Sequence, residues 1–282
     1  MAELKLFSKS LVKPECAYLQ KYRKNIKSQN GEDGIIKKIL EILGTKNKWC
    51  VEFGAWNGQH FSNSWALINN SNWNAVLIEG NKDRFGELNT LYAKNKKVIT
   101  LNTFVEMDAG KNSLDSILAN TKIPNDFDFL CIDVDGCDWH IWKSLVNYQP
   151  RLVLIEFNPT IPNHVSFVQD RNMSVNHGSS LRALIELGKK KEYELVATTG
   201  WNAFFVKAED YPLFEIKDNS IDSMHTLENA LLSGDNAEST FFQLYDGTIV
   251  LCGCNYLLWK DGMPITNEDI QVLPRALRRY TK

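Results

Sequence analysis

From about residue 48 onward, short apolar runs alternate with segments of helical spacing, and this alternation leaves the fewest folds open. Parallel strands cannot be joined by a tight turn. Each needs a crossover of a dozen residues or more, which a helix supplies. Apolar runs lie at 49–53, 75–78, 98–101, 128–133 and 152–157. Between them, 63–70, 82–95, 114–119 and 139–148 carry helical patterning, as with Phe85, Leu88, Leu91 and Tyr92. The runs are apolar nearly throughout, which predicts strands buried on both faces. After an irregular stretch at 158–178, Ser180 is placed to cap a helix running to Lys190. Two last runs, 195–197 and 203–206, are joined only by Thr198-Thr199-Gly200-Trp201-Asn202 and predict an antiparallel hairpin closing the sheet. The expected fold is α/β: a Rossmann-like, seven-stranded, mostly parallel sheet with helices on both faces.

The expected organisation has three parts. Residues 1–47 read as a helical N-terminal extension or lid, 48–207 as the core, and 208–282 as a small C-terminal cap with an acidic insert and a Tyr245-Asp246-Gly247 turn. Residues 1–50 hold eleven Lys or Arg against five Asp or Glu, a surplus that would draw an anionic acceptor or partner. Over the whole chain, 32 basic against 34 acidic residues give a formal charge of −2, which argues against a nucleic-acid binder. No stretch approaches the ~18 uninterrupted apolar residues of a spanning helix, and the N-terminus lacks the apolar region of a secretory signal. The six cysteines include no C-x-x-C pair, and Cys252-Gly253-Cys254 alone is too little for zinc. They read as reduced thiols of a cytoplasmic protein.

In an open α/β sheet the ligand crevice lies beyond the carboxyl ends of the strands. The first core strand runs into Glu52-Phe53-Gly54-Ala55-Trp56-Asn57-Gly58, where Gly54 permits a tight turn and close approach of a ligand. The second ends at Glu79, an acid placed to accept hydrogen bonds from both hydroxyls of a ribose. A glycine turn followed by such an acid suits a nicotinamide enzyme or an S-adenosylmethionine enzyme. The dinucleotide pattern G-x-G-x-x-G is absent, Glu52 suits a cationic ligand better than a diphosphate, and Trp56 would crowd a pyrophosphate. The one Tyr-x-x-x-Lys, Tyr92 to Lys96, falls before the third strand and far from the crevice. An NAD(P)-dependent oxidoreductase and a non-catalytic S-adenosylmethionine-binding or assembly protein stay as alternatives.

The run Ser28-Gln29-Asn30-Gly31-Glu32-Asp33-Gly34, then VEFGAWNG, LIEGN, FLCIDVDGCDWHIW, LVLIEFNP and GWNAFFVK, resembles the FkbM-like branch of class I S-adenosylmethionine-dependent methyltransferases over roughly 28–207. The resemblance implies strand order 3-2-1-4-5-7-6 and S-adenosyl-L-methionine as cofactor. By position, Glu52 and Gly54 would approach its methionine part, Glu79 the ribose, Asn102 with Thr103 and Phe104 the adenine, and Asp133 the amino group or the acceptor. Gln29, Glu32 and Asp33 would fold over the cofactor as a lid, although Ser28 and Glu32 also suit a plain helix cap. The family turn is closer to E-x-G-x-G, and Trp56 stands at its middle glycine.

Methyl transfer to a hydroxyl needs alignment and removal of a proton. Asp133 and Asp135 are two apart, as are Glu156 and Asn158, so each pair points to one side if extended. Adjacent strand ends would gather three carboxylates and an amide oxygen, hard ligands for Mg²⁺, Mn²⁺ or Ca²⁺. This placement resembles that of metal-dependent O-methyltransferases. Asp133, Asp135 and His140 are the candidate catalytic residues, His140 as an alternative general base. The expected activity is O-methylation of a small polar acceptor, a sugar or a phosphorylated metabolite.

Overall fold

A computed structural model describes residues 4–7, 19–225, 240–245 and 248–252. Strand β1 (Leu4–Phe7) precedes a 3₁₀ turn at Gln20–Tyr22 and helix α1 (Glu32–Leu43). The core then alternates β2 (Trp49–Phe53), α2 (Trp65–Ser71), β3 (Asn74–Ile78), α3 (Lys82–Tyr92), β4 (Val98–Leu101), α4 (Leu114–Ala119), β5 (Phe129–Ile132), α5 (Asp138–Ser144), β6 (Leu152–Glu156), α6 (Leu181–Lys190), β7 (Tyr193–Thr198) and β8 (Asn202–Lys207). A 3₁₀ turn at Tyr211–Phe214, α7 (Ile221–Met224), β9 (Thr240–Gln243) and β10 (Ile249–Cys252) follow.

The large sheet runs β4-β3-β2-β5-β6-β8-β7. Counting its strands from β2, that is order 3-2-1-4-5-7-6, with β8 alone antiparallel to its neighbours β6 and β7. Order reverses between β2 and β5, so the loops after these two strands diverge and leave a crevice. Alternate residues of each strand feed opposite faces. Cys50, Leu77, Cys131, Leu154 and Phe204 meet α1, α2 and α3. Val51, Ile78, Ile132, Ile155 and Phe205 meet α4, α5 and α6. The α1 spacing Ile35, Ile36, Ile39, Leu40, Leu43 is a single apolar stripe, and all five side chains are buried.

Departures from the sequence reading have local causes. The helix expected over 139–148 stops at Ser144, because the Asp115 carboxylate takes the N–H groups of Val146 and Asn147 and draws the chain out of the helix. The first helix of the core begins at Trp65 instead of residue 63, since Ser62, Asn63 and Ser64 are bonded to Glu52. The N-terminal extension is not purely helical: β1 pairs in parallel with β10, which pairs antiparallel with β9, in a separate three-stranded sheet. The acidic insert beyond His225, Asp246-Gly247 of the expected turn, Cys254 and most of the proposed cap lie outside the described residues. Among the described residues, no helix is long and apolar enough to cross a membrane.

Candidate functional site

The site is built at the carboxyl edge. Gly54 leaves β2 with φ +72°, and a Cβ there would lie 2.0 Å from the Asp133 carbonyl oxygen, so only glycine fits. Trp56 follows with φ +48°, a left-handed conformation at the position where the family turn has glycine. Its N–H donates to Glu79 Oε2 at 2.8 Å, and the Arg84 guanidinium sits 4.3 Å from its half-exposed ring. The turn therefore keeps a bare backbone path while the indole is turned outward.

Glu79 takes a second backbone N–H, from Asn81 at 2.7 Å on Oε1. Each carboxylate oxygen keeps a free acceptor direction, as a ribose diol needs. Asn102 donates to the carbonyls of Glu79 and Gly80, tying the β4 loop to the end of β3. Phe104, 67% exposed, lies against Gly80, where a Cβ would be 2.4 Å from its ring. Gln29 is exposed on the 24–31 loop. Glu52 is buried, and its carboxylate accepts from Ser62 Oγ, Asn63 N–H and Ser64 Oγ; burial still raises its pKa. It anchors the loop entering α2.

Beside this turn the acids converge. Asp133, Asp135 and Glu156 each bring a carboxylate oxygen to within 4.8 Å of the others. Asp135 has φ +55° in a turn that Asp138 closes by accepting from Val134 and Gly136 N–H groups. Burial and the neighbouring like charges push the carboxyls of Asp133 and Glu156 well up, because ionising all three together concentrates negative charge in a half-buried place. A cluster of this kind holds protons or gathers a cation. The expected amide partner is different: Asn158 Oδ1 accepts from Thr160 N–H and Oγ, and its Nδ2 donates to His177 O, so Asn158 belongs to the 158–178 loop.

His140 is buried on α5, with Nε2 2.9 Å from the Gln169 carbonyl oxygen. Burial lowers its pKa, and the charged groups acting on it are Arg171, Lys143 and Asp108, not the three carboxylates. Gln169 Oε1 accepts from His177 and Gly178 N–H groups, folding the long loop onto the Asp133–Asp138 turn. The sequence reading left His225 without a role in the acidic insert; it is buried edge-on to Phe157 at 4.9 Å.

Three buried polar residues near the carboxyl edge were given no role in the sequence reading: Asn30, Asn63 and Asn202. Asn202 is the Cα partner of Glu156 across β6 and β8. Antiparallel return of the strand after Trp201 is the signal that would have placed it there. Asn63 N–H donates to Glu52, and Asn30 N–H to Glu32, whose other oxygen accepts from Thr199 Oγ.

No protein-family model matches the chain, and no curated protein matches it significantly. Among solved structures it is similar to the N-terminal domain of EvdMO1 with SAH (S-adenosyl-homocysteine) bound, at 12% identity and TM-score 0.40 over 62% of this chain and 79% of that one. It is also similar to the O-methyltransferase from Bacillus cereus in complex with SAH, at 18% identity and TM-score 0.42 over 68% and 86%. A SAM-dependent methyltransferase from Aquifex aeolicus matches at 10% identity and TM-score 0.38 over 68% and 97%. Scores this low add nothing to the topology, which the strand register already establishes.

Proposed function

We propose that this chain is an S-adenosylmethionine-dependent methyltransferase of the FkbM-like kind that methylates a hydroxyl of a small polar acceptor. The observation that carries this reading is the close approach of Gly54 to the Asp133 carbonyl, which leaves no room for a Cβ and sets the glycine turn beside the acid cluster. A nucleoside held by Glu79 and lined by Phe104 would direct its sulfonium across Gly54 toward Asp133. An acceptor hydroxyl there attacks the methyl in line: an O–CH₃ bond forms, the S–CH₃ bond breaks, and its electron pair returns to sulfur as a thioether.

The hydroxyl proton goes to Asp133, whose raised pKa suits a base working near neutral pH. His140 is less suited, being buried and engaged by the Gln169 carbonyl, with Arg171 and Lys143 among the charges acting on it. The hard oxygen donors of Asp133, Asp135 and Glu156 fit Mg²⁺, Mn²⁺ or Ca²⁺. Such an ion, when bound, would supply the positive charge that acidifies the acceptor hydroxyl. Three carboxylates disfavour a phosphorylated acceptor, so a neutral sugar is the better candidate. The buried free thiols Cys50, Cys131 and Cys137 suit a reducing cytoplasm.

Calorimetric titration of the purified protein with S-adenosylhomocysteine and with NAD tests the cofactor. Binding of the first alone supports the reading; binding of NAD alone ends it. Transfer of labelled methyl to sugar acceptors, with and without EDTA, then tests the ion. Undiminished turnover in EDTA removes the metal from the mechanism.

A further inference from the structure

A second concavity lies outside the crevice. The loop after β2 runs along α3: Gly58 packs on Leu88, Leu91 and Tyr92, and its carbonyl accepts from the Tyr92 hydroxyl at 3.1 Å. Beside this contact opens a groove of about 520 Å³, lined by Asn57 and Gln59 of the loop and by Gly86, Glu87, Thr90 and Leu91 of the helix. That is the volume of a small-ligand site. Its helical wall begins more than one turn past Asn81, the cap of α3, and none of the six belongs to the acid cluster or to the groups assigned to the nucleoside.

Two features here have no explanation in the fold. Gly86 stands in the middle of α3 with a helical backbone, and a Cβ on it would meet nothing within 4 Å, so neither a turn nor packing asks for glycine. Alanine would make the stabler helix. What glycine provides is bare backbone on the wall of the groove. On the loop, Trp56, His60 and Phe61 are exposed and stand in a row, with ring centroids 5.4 Å and 4.0 Å apart. Phe61 is held at φ +52°, a left-handed conformation that a bulky residue takes only under strain. The row is tied to the groove. Asn57 Oδ1 accepts from His60 N–H at 3.0 Å while its Nδ2 donates to Glu87 Oε2 at 3.1 Å, and Arg84, which lies over the Trp56 ring, pairs with Glu87 at 3.6 Å.

The chemistry of the lining selects the occupant. The Asn57 and Gln59 amides donate and accept, Glu87 accepts, and the Thr90 hydroxyl, which donates to the Gly86 carbonyl at 2.8 Å, has its lone pairs left to accept. The apolar face of a partner helix would strip water from these groups without replacing their bonds. An anion would meet the Glu87 carboxylate, and a cation would find that carboxylate already shared between Asn57 and Arg84. A sugar satisfies both halves of the lining: its hydroxyls donate and accept without charge, and its C–H faces cover aromatic rings and Leu91. We propose that this groove binds a neutral oligosaccharide, with Gly86 admitting one sugar ring close to the helix backbone and the row of Trp56, His60 and Phe61 holding its neighbour. The site stands whether or not the crevice takes S-adenosylmethionine.

Saturation-transfer NMR and calorimetry on the full-length protein test the groove, with cellotetraose, maltotetraose, mannotetraose and chitotetraose as neutral probes and tetragalacturonate as an anionic one. At least one neutral probe should bind with a Kd of about 1 mM or tighter, and tetragalacturonate at least about 10-fold more weakly. Gly86→Gln places a good helix former in the groove; it should weaken the sugar at least about 10-fold while the melting temperature holds or rises. Phe61→Asn puts a residue at ease in the left-handed conformation in place of the ring, and should weaken the sugar about 5-fold with the fold intact. S-adenosylhomocysteine titrated into both variants should behave as with wild type. Sugar binding that neither variant changes would assign the sugar to the acid crevice and overturn the groove. Binding of no neutral probe, equal binding of tetragalacturonate, or loss of S-adenosylhomocysteine alongside the sugar would overturn it too.

Discussion

Strand β5 is flanked by an aspartate at each end, and the two are treated in opposite ways. At the amino end, Asp128 is completely buried, and its carboxylate accepts from the N–H groups of Lys46, Asn47 and Lys48 with the Arg151 guanidinium 3.5 Å away. At the carboxyl end, Asp133 faces Asp135 and Glu156 with no cation among the charges that shift it. One end closes a loop on itself; the other is left electrostatically incomplete. Burial costs a carboxylate little when N–H groups and a cation surround it, and much when only like charges do. The difference separates an acid that holds the fold from one left without a countercharge.

The sharpest break of this contrast is at Asp133. Asp133→Asn keeps the shape and relieves the crowding of three acids, so the melting temperature should hold or rise. Methyl transfer should fall by about 10²–10⁴-fold if the carboxylate is the base. A variant that loses stability along with turnover would make Asp133 a second Asp128. The reverse experiment is next in size. Asp128→Ala strands three backbone donors and Arg151, and should cost about 3–5 kcal/mol, seen as a fall of about 10 °C in thermal melting. Affinity of the folded protein for S-adenosylhomocysteine should be unchanged.

A smaller effect comes from His225, a buried base whose Nδ1 has no partner. Burial holds the ring down at about 4. Unfolded, it would titrate near 6.5. Between these values the unfolded chain binds a proton that the folded chain does not, so stability is full above about 6.5 and is lost as pH falls toward about 4. The gap bounds the loss at about 3 kcal/mol. Chemical denaturation of wild type and His225→Phe across that window checks it: the variant should lose this component of the slope, and parallel curves would mean that the ring protonates without penalty.

Much of this arrangement is readable from the chain. The strand runs are legible because burial on both faces makes them apolar without interruption, and the acids because they follow the strand ends; Asp135, however, meets Asp133 through a left-handed turn beyond β5, not through the strand alternation that the spacing suggested. What escapes the sequence depends on distant partners. The end of α5 is set by Asp115 from α4, and β1 pairs with a strand from the far end of the chain. Asn158 has the right spacing from Glu156 but is captured by Thr160, whereas Asn202 reaches the same neighbourhood only through the register of β8 on β6. His140 follows the acids in sequence, yet the helical turn carries its ring to Gln169.

Ser180 supplies the finest comparison, because its hydroxyl oxygen takes two backbone N–H groups close to the acids that have no countercharge. Its hydroxyl accepts from Ala183 N–H as the cap of α6 and from Phe167 N–H, which pins the long loop. Ser180→Ala leaves two N–H groups without that acceptor and should cost about 1–2 kcal/mol, by denaturant titration. Because the loop carries Gln169 and Asn158 beside the acid cluster, the substitution should also raise the KM for the acceptor without changing affinity for S-adenosylhomocysteine. A loss confined to stability would mean that the loop is held by Gln169 and Asn158 alone, and that the hydroxyl serves only the helix.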